Sequence, residues 1–105
     1  MADQVVVWSP EALEDVDDIA GYIARDSFFY AAAVVEKILA AASGLNQFPQ
    51  SGRIVPELNQ PDIRECFVYS YRLIYRIEPA HILVTAVIHG RRLLDDETTS
   101  RIAGQ

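Results

Sequence analysis

Two long runs of strand-forming residues in the second half of the sequence constrain the fold more than any other feature. The first run is IRECFVYSYRLIYRI, residues 63–77, and the second is ILVTAVIHG, residues 82–90. The first run is too long for one ordinary strand, so it is predicted to fold as a hairpin that turns near Tyr69 and Ser70. The segment EPAH between the runs predicts a second turn.

The first half of the sequence predicts one short strand followed by two helices. QVVVW, residues 4–8, is a short apolar strand, and the Ser9–Pro10 pair after it is a typical helix start. Apolar residues then recur every three or four positions, which indicates an amphipathic helix with an acidic outer face. Asp26 or Ser27 can cap a second helix of the same kind.

The predicted order of elements is therefore β-α-α-β-β-β. Few residues separate the two helices, so we expect an antiparallel helical hairpin. The expected fold class is α+β, with this N-terminal hairpin packed on one face of a small, mostly antiparallel sheet. QVVVW and the final strand are the expected sheet edges, and the acidic tail, residues 95–105, is expected to be weakly helical at best.

Length, hydropathy and cysteine content limit the class of protein. The chain has 105 residues and no linker or internal repeat, so residues 1–105 are expected to form one domain. Its apolar runs are shorter than the roughly 18–20 residues that a membrane span needs, and its N-terminus does not resemble a signal peptide. The single cysteine, Cys66, fits a reducing compartment. These features predict a soluble, cytoplasmic protein that does not contact membranes.

Charge is unevenly distributed along the chain. The net charge is −6, yet residues 51–92 contain six arginines and four acidic residues, a local charge of +2. Arginine suits bidentate contact with phosphate or carboxylate groups. The overall acidity argues against avid, non-specific binding to nucleic acid, but a local cationic site is still expected in this segment.

Four segments, taken in order, resemble the RelE/ParE superfamily of toxins from bacterial type II toxin–antitoxin (plasmid stabilisation) modules. They are VWSPEALEDVDDIAGYI, LNQFPQSGRIVPEL, IRECFVYSYRLIYRI and ILVTAVIHGRRLL, within roughly residues 5–94. The resemblance implies a compact toxin that forms a hetero-oligomer with a small cognate antitoxin. RelE-like toxins cleave mRNA on the translating ribosome, whereas ParE-like toxins poison DNA gyrase without cutting nucleic acid. The two-helix segment and the HGRR ending resemble the ParE-like branch, which favours a gyrase inhibitor over an enzyme.

Two alternatives remain open. In a RelE-like nuclease, His89 would transfer protons while Arg64 and Arg91 stabilise the scissile phosphate. Three further side chains could assist: Glu57, Glu65 and Tyr75. RelE-like nucleases tend to use a lysine as well, but the only lysine here, Lys37, lies in the second helix. The other alternative is an inactive homologue that only binds its antitoxin, which the acidic net charge keeps open.

Further candidates for contact with a target lie on the late strands and their exit. They are Arg72, Arg76, Arg92 and Tyr75. Strand alternation places Arg72 and Arg76 on one face, and a register that aligned Arg64 with Arg76 would give that face a cationic patch. The alternative is a structural role, since strand arginines often pair with nearby acids such as Glu65 or Glu78.

The antitoxin would be a flexible partner that covers apolar surface. Phe28, Phe29 and Tyr30 point in successive directions around the start of the second helix, so at least one should be exposed and available to the antitoxin. A disordered antitoxin segment could add a strand to a sheet edge or lay an amphipathic helix across the helical hairpin. The acidic first helix predicts basic residues on that partner.

No metal or cofactor is expected. His81, His89 and Cys66 lack the spacing of a metal site. The sequence also contains no glycine-rich loop of the kind that binds nucleotide phosphates.

Overall fold

Eight helices and strands follow one another in the computed structural model, which describes residues 4–104. Residues 1–3 and 105 of the predicted domain lie outside the described residues. The elements are β1 (Val5–Trp8), α1 (Pro10–Ala24), α2 (Phe28–Gly44), β2 (Arg53–Ile54), β3 (Ile63–Val68), β4 (Tyr71–Ile77), β5 (His81–His89) and α3 (Asp96–Ala103). The predicted β-α-α-β-β-β order is confirmed, and the structure adds the short strand β2 and the terminal helix α3.

The five strands form one sheet in the order β1-β5-β4-β3-β2. Only β1 and β5 pair in parallel, so the predicted α+β fold with a mostly antiparallel sheet is confirmed. β1 is an edge strand as expected, but the expectation that the final strand lies at an edge is wrong. β5 lies between β1 and β4, and its residues from Val84 to Ile88 are buried on both faces, as is typical of a central strand.

The β3–β4 hairpin turns at Tyr69 and Ser70, as predicted, and Tyr69 adopts a left-handed backbone conformation with φ of +54°. Its register places Arg64 opposite Tyr75 and Ile63 opposite Arg76. Residues that face each other across a sheet share a face. This register therefore decides on which side of the sheet each arginine lies.

Each of the first two helices begins at a serine cap. The Ser9 hydroxyl accepts a hydrogen bond from the Ala12 amide at 3.1 Å, and the Ser27 hydroxyl accepts one from the Tyr30 amide at 3.0 Å. These bonds satisfy amides that have no partner within a helix. No helix within residues 4–104 is long and apolar enough to cross a membrane.

The sheet carries a core on each face. On one face, α1 and α2 pack against Leu73 and Tyr75 of β4. On the other face, a smaller cluster includes Ile74 of β4 and Ile88 of β5, and α3 covers it with the fully buried Ile102. The centre of the sheet is therefore buried on both sides, whereas residues near its edges, such as Val5 and Phe67, are exposed.

The expectation that the tail is weakly helical at best is wrong, since α3 spans Asp96–Ala103. Its cap, Asp95, accepts a hydrogen bond from the Thr98 amide at 2.8 Å. The Arg101 guanidinium donates to the Asp15 carboxylate at 2.7 Å and to the Thr85 carbonyl at 2.9 Å. A helix this short depends on tertiary packing rather than on its own propensity, and for that reason local sequence did not reveal it.

Candidate functional site

A network of four charged side chains, two of them buried, occupies the α3 side of the sheet. The Arg72 guanidinium donates two hydrogen bonds to the Glu57 carboxylate, at 2.8 and 2.9 Å. Its Nε atom donates to Glu65 at 2.6 Å, and Arg53 donates to the other Glu65 oxygen at 2.6 Å. Glu65 and Arg72 are only 1% and 4% exposed. Arg72 thus makes the kind of structural pairing that the sequence offered as the alternative to target contact.

This network ties the connector between α2 and β3 to the sheet. Glu57 and Arg53 belong to the connector, whereas Glu65 and Arg72 belong to β3 and β4. The hydrogen bonds from Arg72 lower the pKa of Glu57, although its partial burial acts in the opposite direction. The same Glu57 contact raises the pKa of Arg72. Both groups are thus held in their charged forms, and Arg72 makes its contacts inside the protein.

The register does not align Arg64 with Arg76, so the cationic patch that depended on this alignment does not form. Arg64 shares a face with Tyr75 on the side of the helical hairpin, whereas Arg76 lies on the α3 side. Arg64 donates to the backbone carbonyls of Pro61 and Gly52, both at 3.0 Å. Arg76 pairs with Glu78, as the structural alternative predicted, and also donates to the Ile102 carbonyl at 3.1 Å.

The exposed cations of the HGRR segment lie just beyond β5. Arg92 approaches Asp95 at 3.4 Å, and both side chains are about half exposed, so this ion pair adds little stability. Arg91 is exposed and has no ion pair with any residue between 4 and 104. These two arginines are therefore the reachable cations at this end of the sheet.

His89 is the last residue of β5 and faces the helical hairpin. Its ring makes an edge contact with the Tyr71 ring, at a centroid distance of 5.6 Å. Its Nδ1 atom accepts a hydrogen bond from the Arg91 amide at 3.1 Å. This bond requires Nδ1 to be unprotonated, so in this arrangement the imidazole proton lies on Nε2.

The structure brings His89 and Arg91 together but places Arg64 far from both. Arg64 lies opposite Tyr75 of β4, whereas His89 lies opposite Tyr71 at the other end of that strand. Strand spacings of about 4.8 Å and rises of about 3.3 Å per residue put the Arg64 and His89 Cα atoms roughly 16 Å apart. The Arg64 guanidinium is also turned to the Pro61 and Gly52 carbonyls, so in this arrangement Arg64 and His89 do not flank one phosphate.

Tyr75, a candidate both for assisting catalysis and for target contact, is fully buried. Its hydroxyl donates to the Pro49 carbonyl at 2.7 Å and accepts from the Gly52 amide at 3.0 Å. A Cβ atom on Gly52 would lie 2.7 Å from that hydroxyl and 2.6 Å from the Glu65 carbonyl, so only glycine fits there. Tyr75 thus fixes the connector, and its one donor hydrogen is already used by the Pro49 carbonyl.

The three aromatic residues at the start of α2 are all exposed. Phe28 is 81%, Phe29 86% and Tyr30 49% exposed, which confirms that at least one of them lies outside the core. Phe28 lines an apolar groove of about 530 Å³ between α1 and α2. Small side chains form most of the remaining walls: Ala20, Gly21 and Ala24 of α1, and Ala31, Ala32, Val35 and Leu39 of α2. Glu36 is the one charged residue of this lining.

Metal ligands are not grouped at any of these places. Among residues 4–104, no three His, Cys, Asp or Glu side chains are arranged so that they could hold a metal ion. Cys66 is half-buried, and its burial raises the pKa of the thiol.

Two solved structures share this fold of a helical hairpin on a mostly antiparallel sheet. One is the chromosomal ParDE TA system from P. aeruginosa, with a TM-score of 0.68, 19% identity, and coverage of 82% of this chain and 95% of that chain. The other is the YoeB dimer from Staphylococcus aureus, with a TM-score of 0.58, 18% identity, and coverage of 84% and 98%. The fold is thus that of small toxin proteins of the RelE/ParE superfamily.

Sequence comparison narrows this class to one family. The family model described as the ParE toxin of the type II toxin–antitoxin system, parDE, matches residues 6–94. The chain therefore belongs to the ParE toxin family, and the resemblance inferred from its four sequence segments is confirmed. No curated protein matches the sequence at a significant level.

Proposed function

We propose that this toxin acts on DNA gyrase and does not cleave mRNA. The observation that carries the proposal is the separation of the nuclease candidates, since Arg64 lies roughly 16 Å from His89 by strand geometry. Glu57 and Glu65, which could have assisted catalysis, are engaged by Arg72 and Arg53. The match of residues 6–94 to the ParE toxin family supports the same target.

His89 and Arg91 are adjacent and exposed, and this arrangement is the observation behind a second candidate function, mRNA cleavage. An imidazole and a guanidinium at one strand end could act on a phosphate if the ribosome supplied the missing groups. Cleavage of RNA needs both a proton acceptor and a proton donor. The pair of His89 and Arg91 therefore supports a nuclease less well than a gyrase inhibitor. Within residues 4–104, only His89 among the proposed groups is placed for proton transfer.

Supercoiling and cleavage assays with purified gyrase test the proposed target. The toxin should block supercoiling or accumulate cleaved plasmid in proportion to its concentration. His89→Ala protein should still inhibit gyrase, because the proposal requires no proton transfer from this side chain. Unchanged gyrase activity at doses that stop growth would exclude gyrase as the target.

We also propose that the antitoxin neutralises the toxin by laying an amphipathic helix in the α1–α2 groove. The groove is apolar, and its walls are small side chains that allow a helix backbone to approach closely. Exposed acids on the neighbouring surface of α1 provide the charge to be matched: Glu11, Glu14, Asp17 and Asp18. The expected antitoxin segment therefore has an apolar stripe with basic residues beside it.

A further inference from the structure

Four of the chain's five tyrosines gather at one end of the molecule. Tyr22 comes from the end of α1, Tyr30 from the start of α2, and Tyr69 and Tyr71 from the β3–β4 turn. We call these four tyrosines, together with His89, the tyrosine cluster.

Direct contacts connect the members of the tyrosine cluster. The rings of Tyr30 and Tyr69 meet edge-on at a centroid distance of 6.3 Å, and Tyr71 meets His89 at 5.6 Å. Tyr22, Tyr71 and His89 line one cleft of about 370 Å³. The pKa of Tyr71 is raised, first by its burial and then by the nearness of Tyr30 and Tyr22. Because Tyr69 and Tyr71 are only two residues apart in the hairpin, the Tyr30–Tyr69 pair and the cleft lie side by side.

Most of this surface is open to solvent. Tyr22 is 69%, Tyr69 53% and Tyr30 49% exposed. A single exposed aromatic residue on a protein surface needs no explanation, but adjacent ones mark interaction sites. These residues come from α1, α2, the β3–β4 hairpin and β5, so the fold brings together four separate parts of the chain.

We propose that the tyrosine cluster is the surface by which the toxin binds its target protein. Tyrosine buries a large apolar ring while its hydroxyl bonds to polar groups, and with arginine it dominates the energetic centres of protein interfaces. Two arginines stand at the edge of the cluster. The Arg25 guanidinium lies 6.0 Å from the Tyr22 ring centroid, and Arg91 follows His89 by two residues.

The chemistry of the cluster defines the partner surface. It should present apolar side chains and backbone carbonyls to the tyrosines, with carboxylates near Arg25 and Arg91. Nucleic acid fits less well, because two acids, Asp15 and Asp18, and one permanent cation, Arg92, line the cleft that Tyr22 and His89 share. The net charge of −6 would add to the repulsion of phosphates.

The test uses purified gyrase holoenzyme and rests on the proposed function. Tyr22→Ala and Tyr69→Ala should each raise the toxin concentration for half-inhibition of supercoiling about tenfold or more, and the double variant should raise it further. Phe48→Ala is the matched control, since this phenylalanine is 66% exposed and lies outside the cluster. It should inhibit like the unmodified toxin, and circular dichroism should show that every variant is folded.

DNA-free binding of toxin to gyrase, followed by biolayer interferometry, should fall by the same factor in the tyrosine variants. If the unmodified toxin inhibits gyrase and the double variant inhibits equally, the cluster proposal fails while the proposed function stands. If the unmodified toxin leaves gyrase untouched, both fail. Tight binding of a fluorescent single-stranded oligonucleotide that the double variant loses would assign the cluster to nucleic acid and overturn a protein partner.

Discussion

At the scale of single residues, the arginines of the cationic segment divide by burial. Arg72 is enclosed and neutralised by Glu57 and Glu65, whereas Arg91 is exposed and has no ion pair within the described residues 4–104. A buried guanidinium between two carboxylates is a structural device, because its contacts are already made. The reachable positive charge is therefore smaller than the sequence suggests.

Replacing Arg72 should destabilise the protein strongly. Arg72→Met would leave the buried Glu65 with Arg53 as its remaining ion-pair partner, and breaking a buried pair in this way typically costs roughly 3–5 kcal/mol. Urea unfolding followed by circular dichroism measures the free energy of unfolding. Arg91→Ala is the control and should change it by less than about 0.5 kcal/mol. A loss below about 1 kcal/mol for Arg72→Met would show that the network contributes little.

Protonation of Glu57 should lower the free energy of unfolding in acid. Its pKa is lowered in the folded protein, so folding gains stability from its charged form above the ordinary glutamate pKa of about 4.3. This gain is lost as the pH falls through the lower folded value. Unfolding measured from pH 6 to pH 3 should show a shallower acid decline for Glu57→Gln than for the unmodified protein. Parallel curves for the two proteins would argue against the Arg72–Glu57 bond.

At the scale of elements, α3 and the helical hairpin cover opposite faces of the same sheet by different means. The hairpin packs through a continuous apolar stripe of two long helices. By contrast, α3 has eight residues, of which only Thr98 and Ile102 are buried. Its attachment depends on Ile102 and on the bond from Arg101 to Asp15. We therefore expect α3 to detach more readily than any other helix.

Ile102→Ala should loosen α3 without unfolding the sheet. Removing a fully buried isoleucine costs about 2–5 kcal/mol in most cores, and here the loss falls on one terminal helix. Amide hydrogen exchange should accelerate in α3, while β4 and β5 stay protected. The exposed neighbour Ser100, replaced by alanine, should leave exchange unchanged. Equal acceleration in α3 and β5 would mean that they unfold as one unit.

A charge placed in the α1–α2 groove should weaken antitoxin binding. Ala32 is exposed in the groove wall, so Ala32→Glu should be tolerated by the fold but should oppose an apolar helix in the groove. Calorimetric titration with the cognate antitoxin should show affinity at least tenfold lower. Ser43→Glu, on the same helix but away from the groove lining, provides the control. Equal affinities for both variants would place the antitoxin elsewhere.

At the scale of the whole molecule, features that depend on neighbouring residues could be predicted from the sequence. The pairings between strands could not. The turn at Tyr69 and the caps at Ser9 and Ser27 were predicted because each depends on neighbouring residues. The dispersal of the arginines depends on the β3–β4 register, which two similarly apolar strands do not specify. The place of β5 inside the sheet depends on its parallel pairing with β1, some 75 residues earlier.

The tyrosine cluster had no sequence signal for the same reason. Its members are separated by up to 67 positions, from Tyr22 to His89, and meet only because α1 runs alongside β5. By contrast, the exposure of at least one of Phe28, Phe29 and Tyr30 followed from helix geometry alone. The role of a residue could be predicted where it depended on a single helix or turn. Which residues act together became evident only from the fold.

The most direct test of the central claim, that this toxin disables gyrase and not mRNA, is made in cells during the first minutes of toxin induction. Plasmid supercoiling and transcript integrity are measured together in bacteria that lack the antitoxin, with unmodified and His89→Ala toxins compared. The expected result is relaxed or cleaved plasmid with intact transcripts for both proteins. Transcripts cut at codons, with normal plasmid topology and loss of cutting in His89→Ala cells, would contradict the account.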